Sequence, residues 1–140
     1  MRKPSIIQPW KKTCVIRQEI RDRKVTASDF AVDLQKVIGG GPGTKPFYCD
    51  PDQFFATTYA TQNLRQLCKV ALRRLAKVSG GESIINVAQT FGGGKTHTLT
   101  ALYYLTTLGT NLPKHQTSVG MILNDAQLKD PPTARVAAGL

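Results

Sequence analysis

Residues 83–108 read SIINVAQTFGGGKTHTLTALYYLTTL and hold three patterns in succession. Residues 83–88 are β-branched and apolar, which is typical of a short buried strand. The glycine-rich residues 89–94 predict a loop, and residues 95–108 predict a helix that ends at Gly109. A strand, a glycine-rich loop and a helix in this order predict an α/β fold.

The loop ends in a motif that is typical of phosphate binding. Gly94-Lys95-Thr96 matches the G-K-[ST] end of a P-loop. Gly92, Gly93 and Gly94 would let backbone N–H groups approach a polyphosphate, and the helix that follows would turn its positive end to the same place. Lys95 would reach the β- and γ-phosphates, and the Thr96 hydroxyl would bind Mg²⁺. The alternative is a glycine-rich turn whose lysine is only solvated.

The sequence before residue 80 is helical in character. Residues 27–38 and 61–78 each place apolar side chains on one helical face, and Asp50-Pro51 indicates the start of a further helix. The helix predicted over 61–78 carries a basic stripe on its opposite face, formed by Arg65, Lys69, Arg73 and Lys77. This stripe could contact the phosphates of DNA, or it could be an ordinary solvated face.

The sequence after residue 108 contains two weaker strand predictions, 118–123 and 133–138. We therefore expect a helical N-terminal region, 1–80, followed by the start of a P-loop NTPase core, 81–140, in the order strand, P-loop, helix, strand. Asp125 follows an apolar stretch, so it is either a metal-binding carboxylate at a strand end or a loop or helix cap. The chain after Thr96 is too short for a complete core, and we expect a truncated ATPase.

The chain is strongly basic, with 19 Lys and Arg against 9 Asp and Glu and a net charge of +10 over 140 residues. Such a charge favours partners that carry phosphates. The sequence holds no apolar run of about 20 residues, the length of a membrane span, and no apolar signal-peptide region near its N-terminus. Three cysteines without a C-x-x-C pair and two distant histidines argue against a disulfide framework or a metal site. We expect a cytoplasmic protein without a membrane partner.

Three blocks of the sequence resemble a family of large bacterial AAA-type P-loop ATPases of unknown function, often encoded beside DNA methyltransferases in phage-defence-like loci. The blocks are EIRDRKVTASDFAVDL (19–34), CDPDQFFATTYATQNLRQLCKVALRRLAKV (49–78) and GESIINVAQTFGGGKTHTLTALYYLTTLG (81–109). The loop of that family resembles Q-T-x-G-G-G-K-T-H, so Gln89 in place of the first glycine of the general P-loop pattern is consistent with the family. The resemblance implies ATP as the nucleotide and P-loop roles for residues 92–96, with His97 immediately following.

These observations leave three functional hypotheses. The first is an ATP-binding part of an AAA-type ATPase, in which residues 92–96 hold the triphosphate and Mg²⁺ and His97 is a further candidate for nucleotide binding. The second is a nucleic-acid-binding module that uses the basic helix 61–78, and the third is an inactive, decayed fragment. We do not expect hydrolysis by the 140 residues alone, because no residue that would order Mg²⁺ and the attacking water is identifiable. We expect an oligomer only for an intact parent ATPase.

Overall fold

The computed structural model describes residues 9, 12, 14–16, 18–23, 33–39, 46–87 and 94–137. The chain divides into two compact units, Met1–Ala31 and Val32–Leu140. The first unit contains helix α1, Gln18–Arg21. The second unit contains α2 (Leu34–Gly39), α3 (Pro46–Cys49), α4 (Pro51–Thr57), α5 (Gln62–Leu75), α6 (Lys95–Thr107), a 3₁₀ turn (Gly109–Asn111) and α7 (Thr117–Ala126).

The predicted α/β fold, with a strand before the P-loop, is wrong: the described residues form helices and irregular connections, with no strand among them. Residues 83–87, from the expected first strand, are irregular, and Ile84 is 86% exposed. A strand is stabilised by hydrogen bonds to a neighbouring strand, and the described part of the chain offers these residues none. An apolar composition alone therefore does not make this segment a strand.

The two later strand predictions are wrong for different reasons. Residues 118–123 belong to α7, because the buried residues of this region follow a helical period: Val119, Ile122, Leu123 and Ala126. Residues 133–137 are irregular and run beside α6, where the Ala134 N–H donates to the Thr106 carbonyl at 2.8 Å. This backbone N–H is therefore satisfied near the end of a helix and not by a neighbouring strand.

Helices α4 and α5 begin at side-chain caps. The Asp50 carboxylate accepts a hydrogen bond from the Asp52 N–H at 2.9 Å, and Pro51 occupies the first helical position of α4. Thr61 caps α5 in the same way, since its hydroxyl oxygen accepts from the Leu64 N–H at 3.3 Å. The predicted helices in these two places are confirmed.

The core of the second unit lies between α4, α5, α6 and α7. Helix α5 packs on both α6 and α7, α4 packs on α7, and α2 packs on α6. Large side chains that are fully buried come from all four core helices: Phe54, Phe55, Leu72, Leu105, Val119 and Ile122. Residues on both sides of residue 80 thus share one core. The predicted division into a helical N-terminal region, 1–80, and the start of a nucleotide-binding core, 81–140, stays a prediction.

The connection after α5 includes a close backbone approach at Gly81. A Cβ atom at this position would lie 2.2 Å from the Arg74 backbone nitrogen and 2.5 Å from the Arg74 Cα. Real Cβ atoms do not approach backbone this closely, so only glycine fits without a shift of the chain. Gly81 therefore lets the connection to α6 start directly against the end of α5.

Candidate nucleotide-binding site

The start of α6 is the candidate site. Gly94 is the N-cap, with φ 75° and ψ 20°, a left-handed conformation that glycine adopts without strain. The hydrogen-bond ladder of the helix begins with the Thr98 N–H, which donates to the Gly94 carbonyl at 2.9 Å. The predicted helix over 95–108 is confirmed as Lys95–Thr107. Gly92 and Gly93, predicted to approach the phosphates, lie outside the described residues.

The electrostatics of this helix end favour an anion. Within the described part of the chain, no side chain caps the helix and its first turn holds no acidic residue. The first turn of a helix leaves backbone N–H groups without intrahelical partners, and the helix dipole adds about half a positive elementary charge there. The Lys95 ammonium adds a full positive charge at the same end. Such a helix start can bind a phosphate group.

Lys95 and Thr96 are the first two residues of α6, and both are partly buried. The Thr96 carbonyl accepts a hydrogen bond from the Thr100 hydroxyl at 2.9 Å, and the Thr98 hydroxyl donates to the Gly94 carbonyl at the same distance. The hydroxyls of these two threonines are therefore satisfied by carbonyls four residues earlier in the same helix, where the helix enters the core. The backbone that carries the lysine and the threonine is therefore held in a regular helical turn.

His97 lies in a different environment from the two residues before it. Its imidazole packs on Phe54, with ring centroids 4.7 Å apart, and its Nε2 lies 3.0 Å from the Thr58 hydroxyl oxygen. Thr58 donates its only hydroxyl proton to the Phe54 carbonyl at 2.7 Å, so Nε2 of His97 carries the proton that joins the two residues. Burial lowers the pKa of His97 below 6.5, which keeps the ring neutral at pH 7. His97 therefore anchors α6 on α4.

Thr58 is a residue of this site that sequence reasoning missed. It ends α4, where its N–H donates to the Phe55 carbonyl at 3.3 Å. Its hydroxyl bridges the end of α4 to the start of α6 through His97. No local signal marks such a threonine, because its partner lies 39 positions away in the sequence. The helix start is thus supported by contacts between side chains of two helices.

A family model, the DUF499 N-terminal domain, matches residues 10–131 of the chain. The chain belongs to the DUF499 N-terminal domain family. The match includes the caps of α4 and α5, the Gly94-Lys95-Thr96 motif and all of α7. Comparisons with curated proteins and with solved structures found no match.

The basic stripe of this DUF499 domain is partly used in its own packing. Arg65 donates from Nε and Nη2 to the two carboxylate oxygens of Asp125, each at 2.7 Å. Arg73 donates to the carbonyls of Ser79 and Ala126 at 2.7 and 3.0 Å. Two of the four residues predicted to contact DNA thus join α5 to α7 and to the connection that follows α5. DNA binding by this helix stays a prediction.

Asp125 of the DUF499 domain lies in the last turn of α7, so its interpretation as a carboxylate at a strand end is wrong. Hydrogen bonds from Arg65 lower the pKa of Asp125 and hold it as the charged partner of the arginine. Among the described residues, no three His, Cys, Asp or Glu side chains cluster as a metal site would require. In the same part of the chain, no helix combines the length and apolar character that a membrane crossing needs.

Proposed function

We propose that this chain binds the phosphates of a nucleoside triphosphate at the start of α6, with ATP as the nucleotide and Mg²⁺ as its counter-ion. One observation carries the proposal: the G-K-T sequence coincides with the first residues of a 13-residue helix whose N-cap is a left-handed glycine. A motif placed by chance would not be expected to coincide with a helix start that suits an anion.

Each residue of the motif has a separate role in this proposal. Gly94 allows the backbone to turn into the helix beneath the phosphates, and Lys95 neutralises the β- and γ-phosphate charge. The Thr96 hydroxyl holds Mg²⁺, and Gly92 and Gly93 contribute backbone N–H groups. His97 is neutral and bonded to Thr58, so we assign it the role of holding the helix start in place.

We infer that the chain alone binds the nucleotide without turning it over. Hydrolysis needs a polar group to order the attacking water and Mg²⁺. The acids of α7 and the segment after it are engaged elsewhere, since Asp125 pairs with Arg65 and Asp130 pairs with Lys114. We further propose, on the resemblance of the sequence alone, that turnover belongs to a larger cytoplasmic AAA-type ATPase of a phage-defence locus.

A thermal-shift titration with Mg-ATP tests the proposed site. At a concentration of about 100 Kd the ligand should stabilise the folded protein by about 2.7 kcal/mol, or about 10 °C in Tm. Lys95→Ala should abolish that increase, and removal of Mg²⁺ with EDTA should weaken it. The matched control is Lys129→Ala, which removes the same charge from an exposed position outside α6. Equal ligand-induced increases in Lys95→Ala and Lys129→Ala would contradict the proposal.

A further inference from the structure

An open apolar groove lies between α2, α6 and the segment after α7, on residues that the proposed nucleotide site does not use. Its volume is about 440 Å³. Most of its lining side chains are aliphatic, including Leu34, Ile38, Leu75, Leu99, Leu102 and Val136. All of these residues belong to the second compact unit.

Several of these side chains are more exposed than large apolar residues usually are. Leu75, Leu99 and Val136 expose 43%, 40% and 43% of their surface. Leu75 also lines a second depression, of about 640 Å³, at the end of α5, where Val78 is 39% exposed. The two depressions therefore meet at Leu75, and we call them together the Leu75 surface. Contiguous exposed apolar patches of this kind are typical of interaction sites.

The charged side chains that line the Leu75 surface, in the described part of the chain, are positive. Arg74 and Lys77 line the second depression, and Arg135 lines the groove. Among the described residues, none that lines either depression is acidic. The ion pairs found within the described residues do not involve these three cations. The acid nearest to α2, Asp33, is paired with Lys36 at 3.9 Å.

We propose that the Leu75 surface binds an acidic amphipathic helix of a partner protein. Such a helix presents apolar side chains at i, i+3, i+4 and i+7 to a groove, and its flanking carboxylates would face Arg74, Lys77 and Arg135. A second copy of this chain does not fit, because it carries the same net charge of +10. Nucleic acid does not fit either, because bases stack on aromatic side chains and this lining is mainly aliphatic.

A labelled peptide tests the proposal without any nucleotide present. The probe is a helix of about 18 residues with leucine at i, i+3, i+4 and i+7, glutamate on either side of that face and alanine and glutamine elsewhere, and its control is the same composition in scrambled order. Fluorescence anisotropy should show salt-dependent binding of the amphipathic peptide, with the scrambled peptide at least about 10-fold weaker.

Variants of the intact chain locate the binding surface. Leu99→Glu and Arg135→Glu should each lower the affinity for the amphipathic peptide by about 10-fold. Leu99→Glu places a charge in the groove, and Arg135→Glu reverses a charge that lines it. Both positions are exposed, so the fold is retained, which the Tm of each variant verifies. The matched controls are Met121→Glu, at an equally exposed apolar position on α7, and Lys129→Glu. Neither control should change the affinity.

Three outcomes would overturn the proposal. One is equal binding of the amphipathic and scrambled peptides, and another is equal weakening by Leu99→Glu and Met121→Glu. The third is absence of peptide binding combined with binding to phosphatidylcholine–phosphatidylserine vesicles that Leu99→Glu abolishes, which would make the surface a lipid contact. Because Lys95 is not altered in any of these variants, failure here leaves the proposed nucleotide site untouched.

Discussion

Replacing His97 with leucine perturbs the contact that anchors α6 on α4. Leucine keeps an apolar side chain against Phe54 but removes the 3.0 Å hydrogen bond to the Thr58 hydroxyl. Such a hydrogen bond contributes about 1 kcal/mol, and the contact between the Phe54 and His97 rings contributes up to about 1 kcal/mol that leucine only partly replaces. We therefore expect His97→Leu to lower the free energy of unfolding by about 1–2 kcal/mol near pH 8, and the Tm by about 4–8 °C.

The same substitution should change how stability depends on pH. In the folded protein the pKa of His97 lies below 6.5, so the unfolded chain takes up this proton at a higher pH than the folded chain. The stability that the neutral ring contributes is complete well above pH 6.5 and is lost as the pH falls through 6.5 toward the lower folded pKa. Leucine cannot take up a proton, so the difference between parent and variant should shrink as the pH falls.

Urea unfolding between about pH 8 and pH 5 measures this difference directly. The pKa values of Asp125 and Asp130 are lowered from 3.8, so these carboxylates do not change their charge between pH 8 and pH 5. The control is the same substitution at His115, the other histidine of the chain, which is exposed beside Asp52. Parallel stability curves for the parent and His97→Leu would refute the assignment of this pH dependence to His97.

Two further predictions test the connection after α5 and the pairing of α5 with α7. Gly81→Ala should lower the free energy of unfolding by more than about 2 kcal/mol in urea unfolding, because the new Cβ would meet the Arg74 backbone. The control is Gly120→Ala in α7, which has open space around it and should raise the free energy of unfolding by about 0.5–1 kcal/mol. Equal effects of the two substitutions would contradict the close approach at Gly81. Asp125→Asn should lower the Tm at neutral pH, because it breaks the two-hydrogen-bond pair with Arg65. The charge of Asp125 stabilises the folded protein above pH 3.8, and this stabilisation is lost as the pH falls through the lower pKa of the folded state. The difference in Tm between the parent and Asp125→Asn should therefore become smaller as the pH falls below 3.8. A difference in Tm that stays constant at those pH values would contradict the pairing.

Local signals in the sequence predicted where α4, α5 and α6 begin. The Asp50-Pro51 pair predicted the start of α4, because a capping carboxylate and a proline act within a single turn. The apolar face of residues 61–78 predicted α5, although the helix ends at Leu75 and Lys77 takes a left-handed conformation with φ 56°. The glycine-rich stretch before residue 95 correctly predicted a helix start there.

The strand predictions failed because they rested on composition in short windows. A run of a few apolar residues is consistent with a strand or with a buried helix, and only the spacing over a longer window distinguishes them. In α7 the buried residues continue at helical spacing as far as Ala126, three residues beyond the predicted strand. For residues 83–87, the deciding factor is whether a neighbouring strand exists, which no local pattern reports.

The surroundings of the candidate site depend on contacts between distant residues. The Thr58–His97 bond joins residues 39 positions apart, and the Arg65–Asp125 pair joins residues 60 positions apart. Neither pair shows a local signature, because a threonine, a histidine or an arginine on a helix has many possible partners. The sequence therefore predicted which residues could carry phosphate chemistry, and it missed what holds them in place.

The support of the α6 start has a consequence for how the proposed site would work. In a strand-based P-loop the backbone before the glycines is held by a sheet. Here the described contacts of His97 near the helix start are with Phe54 and Thr58 at α4 and with Tyr48 of α3. A ligand that binds the first turn of α6 would then stabilise the contact between α6 and α4, because folding of the helix start and binding are linked. Weakening that contact with His97→Leu should lower the affinity for Mg-ATP as well as the Tm, even though the neutral histidine makes no charged interaction with the phosphates.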